Sequence, residues 1–398
     1  SIMLTSLKTK KITTLAAALS LSMSFVSHAK NEPLSALTIE EQRIERALES
    51  IPNVSTRLKP RVDAFTEQLT KASNYTVLTQ LTTRHGSGLW RDAKQAFNQL
   101  NDYDDRPLYW ARLQMSKALR SSKAFVNLLA SQRQKLLWTL ELQSRGQADI
   151  AFDKKTDKKI LLTGFDPFFL DRHIDQSNPS GVVALSLDDL VLSINGKTAE
   201  IEVLIVPVRF RDFDQGMIEE LLTPYIQDQS VDMVLTVSMG RENFDLERYP
   251  ALRRSAKAPD NLNVLTGATK TNPLVPKLKS STLLGPEFVE FSLPITAMQK
   301  GEGNYLVNDN RKVSTLSGGE FNAQALENIV KQTSVSGSGG GYLSNEISYR
   351  SIVLRDSFNP TLPVGHIHTP RIKAFDQKVL IDIVNQSKNI ITQGVAEL

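Results

Sequence analysis

Two hydrophobic periodicities divide the chain. Between residue 31 and about residue 146, apolar side chains recur at the three- and four-residue spacing of one helix face. Three such stripes are formed by Ile44, Leu48 and Ile51, by Val62, Phe65 and Leu69, and by Leu89, Ala93, Phe97 and Leu100. A capping box at Thr38 and Glu41 is a typical helix start. The pattern predicts a helical N-terminal region over 30–146, in which no motif indicates chemistry.

A different pattern begins at residue 159. Short continuous apolar runs at 160–163, 203–207 and 233–237 are typical of strands that are buried on both faces. Helical patterns separate them and recur near the C-terminus. This alternation predicts that 159–398 forms an α/β domain, a three-layer α/β/α sandwich with a twisted, largely parallel sheet. The polar segment 147–158 is predicted to link the two regions.

The first 29 residues have the layout of a secretory signal peptide. Three lysines precede an apolar stretch from Ile12 to Val26, and Ser27-His28-Ala29 offers a small-x-small cleavage pattern. The apolar stretch is short for a membrane span, although an uncleaved anchor is the alternative. We therefore expect a bacterial protein that is exported to the periplasm or secreted and that has no integral membrane span after cleavage.

Composition and charge exclude several classes of function. The chain contains no cysteine, which excludes disulfide scaffolds, cysteine-ligated metal sites and a thiol nucleophile. Its net charge of +4 comes from 47 basic and 43 acidic residues. Three of those lysines belong to the predicted signal peptide, which leaves 44 basic against 43 acidic residues. The remaining chain is close to neutral, so no nucleic-acid partner is expected.

Three loops at the predicted carboxyl ends of strands carry the candidate chemistry, because sites in parallel sheets collect there. The first contains Phe165 and Phe168, three residues apart, which face one pocket or pack into the core. The second runs from Gly240 to Arg248, where Glu247 forms either a site acid or a solvated ion pair. The third is a glycine-rich run that leads into a helix with Ser344 in its first turn. That position suits either a capping serine or a nucleophile next to free backbone amides.

His366 and His368 lie two residues apart on a predicted strand and therefore share one face. A metal site would need a third ligand, and none stands at a suitable spacing. The residues favour an arrangement in which one histidine is the base for Ser344 and an acid such as Glu247 orients it.

Seven segments between about 159 and 396, in the same order, resemble the motifs of the pyroglutamyl-peptidase I family, also called pyrrolidone-carboxylate peptidases. They are Thr163–Phe168 with Asn178–Ser180, Pro207–Phe210, Gly240–Arg248, Lys257–Asn261, Phe291–Ile295, Gly340–Asn345 and Gly365–Pro370. The helical region before Gly146 lies outside the resemblance.

The resemblance implies an enzyme that releases an N-terminal pyroglutamyl group by acyl transfer without a cofactor. Carried onto the matching positions, Ser344 is the nucleophile, His368 the base and Glu247 the acid. Phe165 and Phe168 fall where the family encloses the pyrrolidone ring. The other substrate-binding residues implied by the matching segments are Asn178, Val237, Gly240, Arg241 and Lys257.

The chain departs from the family at several of these positions. Serine stands at the nucleophile in place of cysteine, and a hydroxyl must lose its proton during attack whereas a thiol ionises readily beside histidine. Phe169-Leu170 replaces a double glycine, Lys257 replaces an arginine, and Val237 stands where some members place a polar pocket residue.

The sequence thus predicts an exported hydrolase, a peptidase acting on peptides or small amides with a blocked N-terminus and able to form homo-oligomers. The alternative is a catalytically silent domain that binds a peptide or a cell-wall-derived ligand. A nucleoside-phosphorylase-like enzyme is a third reading, by fold analogy alone.

Overall fold

A computed structural model describes residues 36–398, and the predicted signal peptide lies outside this range. Its first part is helical: α1 Ile39–Gln42, α2 Ile44–Ser50, α3 Pro52–Ser55, α4 Lys59–Lys71, α5 Tyr75–Leu100, α6 Arg106–Ser121, α7 Lys123–Val126 and α8 Ala130–Ser144. The capping box is confirmed, since the amide of Glu41 donates to Thr38 Oγ1 at 3.1 Å and the amide of Thr38 donates to the Glu41 carboxylate at 3.2 Å. Chain direction changes after α8 at Gly146, whose φ of 93° suits glycine.

The second part alternates strands and helices as predicted. In chain order it contains β1 Lys158–Phe165, α9 Pro179–Leu187, β2 Val191–Ile194, β3 Lys197–Val206, α10 Phe210–Asp214, α11 Met217–Gln227, β4 Met233–Met239, β5 Phe244–Glu247, β6 Lys277–Leu278, β7 Ser281–Thr282, α12 Ile295–Met298, β8 Val307–Asn310, β9 Lys312–Thr315, β10 Gly319–Asn322, β11 Ser334–Ser336, α13 Leu343–Phe358, β12 Val364–Thr369 and α14 Gln377–Val395. The helical pattern over 213–226 is split into α10 and α11 by Gly216, which adopts a φ of 85°.

A seven-stranded sheet with the order β2-β3-β1-β4-β12-β5-β8 forms the middle layer. Four of its six pairings are parallel, while β2 runs antiparallel to β3 and β5 antiparallel to β12. The pair α9 and α14 and the pair α11 and α13 supply the helical layers. The predicted three-layer α/β domain with a largely parallel sheet is therefore confirmed. Among residues 36–398, no helix is both long and apolar enough to cross a membrane.

The helical region and the α/β domain share a continuous hydrophobic core. One cluster of buried apolar residues runs from Leu58, directly before α4, through to the strands and α14. The segment predicted as a linker is fixed to β3, because the amides of Ala151 and Asp153 donate to the carboxylates of Glu202 and Glu200. The two regions are thus packed as one body.

A buried ion network also joins the helices to the loops at the carboxyl ends of β1 and β3. Asp166, directly after β1, accepts from Arg112 on α6 at 3.2 Å and from Arg145 at 2.8 Å. After β3, Arg209 pairs with Glu40 on α1 and with Glu141 on α8. Burial would disfavour these charges individually, and each is offset by a partner from the other region.

A second contact fixes the start of α9. The Asp105 carboxylate, which is buried just before α6, accepts from the hydroxyl of Ser177 and, at 2.9 Å, from the amide of Asn178. Burial and the neighbouring carboxylate of Asp104 raise the pKa of Asp105 to about 7. The helical region therefore positions Asn178, one of the predicted substrate-binding residues.

Replacing Asp166 by alanine tests the first contact. We expect the Asp166→Ala variant to lose about 3–5 kcal/mol of unfolding free energy, because two buried guanidinium groups would each lose a carboxylate partner. Asp63→Ala is the control, since Asp63 pairs with Lys59 at the surface, and its effect should be below about 1 kcal/mol. Urea unfolding measures both. Equal losses in the two variants would contradict a docking role for Asp166.

The pKa of Asp105 gives a pH prediction. The Asp105 carboxyl binds its proton more tightly in the folded than in the unfolded state, so the protonated form stabilises the fold. This contribution is complete below the unfolded pKa of about 4 and is lost as the pH rises towards 7. We expect Asp105→Asn to remove up to about 4 kcal/mol of the fall in unfolding free energy over this interval. The control is Asp63→Asn, at an exposed position. Identical pH slopes in Asp105→Asn and the parent would overturn this assignment.

Candidate active site

A cavity of about 760 Å³ opens at the carboxyl ends of β1, β3, β4 and β12. These strands end side by side because β4 pairs in parallel with both β1 and β12. The loop after β1 supplies aromatic side chains, and the start of α13 closes the opposite side. The lining includes Phe165, Phe168, Phe169, Ser238, Tyr342 and Ser344.

Glu247 and His368 form a buried pair beside this cavity. They stand on antiparallel neighbours, since β5 pairs with β12, and His368 Nδ1 lies 2.7 Å from Glu247 Oε1. The other carboxylate oxygen of Glu247 accepts from the Asn310 amide at 2.9 Å. Burial raises the pKa of Glu247, while the contact with His368 opposes that rise. The acid is held at both oxygens and fixes His368 with Nε2 as its remaining nitrogen.

Ser344 lies at the second position of α13 and lines the cavity. Backbone amides in the first turn of a helix have no intrahelical acceptor, and the helix dipole favours negative charge there. Its hydroxyl donates to the carbonyl oxygen of Gly339 at 3.4 Å. Within residues 36–398 it has no hydrogen bond to His368, so the serine is next to the cavity but is not joined to the Glu247–His368 pair.

Two glycines pack against His368. A Cβ atom on Gly240 would lie 2.7 Å from His368 Cβ, which is closer than side-chain atoms approach, so the backbone passes the histidine only because residue 240 is glycine. A Cβ atom on Gly339 would lie 3.5 Å from His368 Cε1 and from Glu247 Cγ, which is ordinary contact. Position 240 therefore fixes where the histidine stands.

Four of the predicted substrate-binding residues line the cavity: Phe165, Phe168, Asn178 and Gly240. The other three lie outside the lining, and their part in substrate binding stays a prediction. Val237 is buried on β4 and points to the face opposite Thr236 and Ser238, because side chains alternate along a strand. Arg241 is exposed and pairs with Asp245 at 3.1 Å. Lys257 is exposed on a loop whose neighbours Ala256 and Ala258 form the lining instead.

The structure shows a hydrogen-bonded set of three residues, Thr236, His366 and Ser238, that the sequence did not reveal. His366 is fully buried, with Nδ1 at 2.7 Å from Thr236 Oγ1 and Nε2 at 2.6 Å from Ser238 Oγ. Burial, together with the neighbouring His368, holds the pKa of His366 well below its ordinary value. The spacing of Thr236 and Ser238 on a strand was the available signal, but the register against His366 was not known from the sequence.

The rim of the cavity is cationic. Arg371 and Lys373 belong to its lining together with the imidazole of His173, and the lining contains no aspartate or glutamate among the described residues. The two segments that carry them are tied by Gln176, whose amide donates to the carbonyl oxygen of Ile372 at 3.2 Å. Arg371 lies 3.3 Å from Glu242, but both side chains are exposed, so their attraction is weak. The rim disfavours a positively charged ligand.

A cluster of carboxyl groups lies apart from the cavity lining. Oxygen atoms of Asp149, Asp188, Asp189 and Glu202 lie within 4.8 Å of one another. Burial raises the pKa of Glu202 to about 10, and its carboxyl group is hydrogen bonded to that of Asp189, so this pair shares a proton. Lys94 lies 3.5 Å from Asp188. Lys94 thus supplies one positive charge next to these carboxyl groups.

Comparison with protein families matches two parts of the chain to two domains of one family. Residues 24–141 match the N-terminal domain of PA0049, and residues 159–283 and 322–373 match its C-terminal domain. The chain matches the PA0049 family in both of its domains. Protein PA0049 of Pseudomonas aeruginosa is 28% identical to it, over 84% of this chain and 81% of that protein.

Pyrrolidone-carboxylate peptidases match about 60% of this chain. A pyrrolidone-carboxylate peptidase of Streptococcus pyogenes is 25% identical over 60% of this chain and 88% of its own length. Two similar solved structures are pyrrolidone carboxyl peptidases. That of Pyrococcus furiosus (a mutant form) has a TM-score of 0.40 and 22% identity, covering 60% of this chain and 99% of its own. That of Thermococcus litoralis has a TM-score of 0.39 and 19% identity, covering 60% and 94%.

The two glycines around His368 provide a matched test of its packing. We expect Gly240→Ala to lose about 1–3 kcal/mol of unfolding free energy, because the added methyl group must displace His368 or the backbone. Gly339→Ala adds the same methyl group at ordinary contact distance and should change the stability far less. Thermal and urea unfolding measure the difference. A Gly339→Ala loss as large as that of Gly240→Ala would show that close packing at His368 is not the cause.

Proposed function

We propose that this protein hydrolyses the amide bond between an N-terminal pyroglutamyl, or related acyl, group and the peptide or small amine that follows it. The observation that carries the proposal is the buried Glu247–His368 pair, at 2.7 Å, beside a cavity that Ser344 lines from a helix N-terminus. A base oriented by an acid, next to a hydroxyl with free backbone amides, is the arrangement that acyl transfer needs. Similarity to a pyrrolidone-carboxylate peptidase supports the same reaction class.

Attack begins with a rotation of Ser344. Its Oγ leaves the carbonyl oxygen of Gly339 and turns to His368 Nε2, since Nδ1 is held by Glu247. Oγ then bonds to the acyl carbon while its proton passes to Nε2, and amides of the first turn of α13 stabilise the negative charge on the carbonyl oxygen. The C–N bond breaks as Nε2 returns the proton to the leaving amine. Water hydrolyses the acyl-serine ester by the same steps and restores Ser344.

The shape of the cavity supports an acyl group that is flat and apolar. Phe165 and Phe168 line the cavity after β1, and Phe169 packs on Phe168 with ring centroids 4.5 Å apart. Such aromatic faces suit a planar ring such as that of a pyroglutamyl group. The protein is further proposed to act after export, on the basis of the signal-peptide pattern in residues 1–29.

A silent binding domain is the second candidate. The specific observation in its favour is that the Ser344 hydroxyl donates a hydrogen bond to the carbonyl oxygen of Gly339 rather than to His368. In that case the cavity would bind the same acylated peptides and release them unchanged.

Exchange of Ser344 tests catalysis. With a fluorogenic pyroglutamyl amide, we expect the purified protein to turn over and Ser344→Ala to lose roughly 10³-fold or more in kcat. Ser344→Cys should retain activity, because a thiolate is an intrinsically better nucleophile. Ser357→Ala is the matched control, since Ser357 is exposed at the far end of the same helix, and it should behave as the parent.

The outcomes separate the two candidates. If the parent protein turns over the substrate and Ser344→Ala is equally active, Ser344 is excluded as the nucleophile. If the parent protein shows no turnover and Ser344→Cys is active, the result favours the silent binding domain, in which the pocket is intact but lacks a competent nucleophile. Silence in every variant would reject the pyroglutamyl substrate.

A further inference from the structure

The hydroxyl of Ser238 is the end of a buried hydrogen-bonded series that starts at Thr236 and passes through His366. Parallel pairing of β4 with β12 sets His366 opposite Thr236 and His368 opposite Ser238. Thr236 and His366 are fully buried, whereas Ser238 lines the cavity. The series therefore ends in the protein interior at Thr236 and at the cavity surface at Ser238.

The direction of these bonds follows from counting protons. His366 is neutral, because burial lowers its pKa, so one ring nitrogen carries a hydrogen and the other accepts. If Nδ1 carried the hydrogen, Thr236 would accept from it and its own hydroxyl proton would be left buried. Within residues 36–398, Thr236 Oγ1 has no hydrogen-bond partner besides His366. An unpaired buried donor is costly, by roughly 1–3 kcal/mol.

The opposite arrangement satisfies every buried group. Thr236 donates to Nδ1, Nε2–H donates to Ser238 Oγ at 2.6 Å, and the one proton left over is that of Ser238. That proton lies at the cavity surface, where a ligand or water can accept it. It also follows that His366 Nε2 is not a free base for Ser238.

We propose that Ser238 is a substrate-binding residue that donates a hydrogen bond to a carbonyl oxygen of the ligand, with His366 and Thr236 as its positioning residues. The proposal rests on the proposed function for the identity of the ligand. Two oxygen atoms of a pyroglutamyl substrate have this chemistry, the ring carbonyl and the carbonyl that is attacked. Ser344 remains the nucleophile, because accepting a proton from Ser238 would create a buried cation on His366 beside His368, whose ring centroid is 4.8 Å away.

The tautomer of His366 can be measured without a substrate. We expect ¹⁵N NMR of the imidazole to show hydrogen on Nε2 and none on Nδ1 at neutral pH, and Thr236→Val to remove this preference. Thr163→Val is the matched control, since Thr163 lies opposite Thr236 on β1 and its buried hydroxyl has no partner in the described chain. Hydrogen on Nδ1 in the parent would overturn the proposal whether or not the protein is an enzyme.

Ser238→Ala tests the contact with the ligand. Loss of one such donor should lower kcat/KM for a pyroglutamyl amide about 10- to 100-fold, equivalent to about 1.4–2.8 kcal/mol. A cyclopentanecarbonyl amide, which has a neutral five-membered ring without the ring carbonyl, distinguishes the two oxygens. A rise in KM confined to the pyroglutamyl substrate assigns the ring carbonyl, whereas a fall in kcat for both substrates assigns the attacked carbonyl.

The same comparison is made by calorimetry if the parent has no turnover. Pyroglutamyl-alanine is titrated into Ser344→Ala with and without Ser238→Ala, and a tenfold or larger weakening by the second substitution supports the contact. Unchanged kcat/KM, unchanged affinity, or no binding by either protein overturns the ligand contact. Ser238→Thr keeps the hydroxyl and should restore most of the loss, which a merely structural role of position 238 does not predict.

Discussion

The carboxylate of Asp166 is the point at which the helical region and the cavity depend on each other. It follows β1 directly and is enclosed by Arg112 and Arg145, both of which come from the helical side. Buried charges of this kind are stable only when all partners are present. The turn between Phe165, at the end of β1, and Phe168 is therefore held by two arginines of the helical region. The N-terminal helices therefore contact the residue that follows β1, although none of their described residues lines the cavity.

The same loop carries a conformational constraint. Phe169 has a φ of 61°, a left-handed conformation that glycine adopts freely and that disfavours a bulky residue. The pyroglutamyl-peptidase motif that this loop resembles has glycine at this position, a residue that adopts such a φ without strain. Phe169 offsets the strain by packing on Phe168 at the cavity. Strain of this kind is typical of functional sites, and here it accompanies a third phenylalanine in the cavity wall.

The layers of the fold could be predicted from the sequence, but the directions in which individual side chains point could not. Apolar runs such as 160–163 and 233–237 identify buried strands because burial on both faces leaves no polar alternation. Order and spacing of motifs predicted the Glu247–His368 contact and the place of Ser344 at a helix start. The sequence did not place the Val237 side chain outside the cavity lining, because the strand phase at the end of β4 was unknown. Asn310 and Thr236 were missed because their partners are more than sixty residues away and depend on strand register.

A serine in place of a thiol changes what the surroundings of His368 must do. A thiolate–imidazolium pair exists before attack, whereas a serine gives up its proton only during attack. In the proposed reaction, the positive charge on His368 would therefore arise only in the transition state. That charge is favoured by Glu247 at 2.7 Å. A second positive charge on the adjacent His366 would oppose it. Burial of His366 between two hydroxyl groups keeps it neutral, and the neighbouring ring therefore does not raise the barrier for a serine nucleophile.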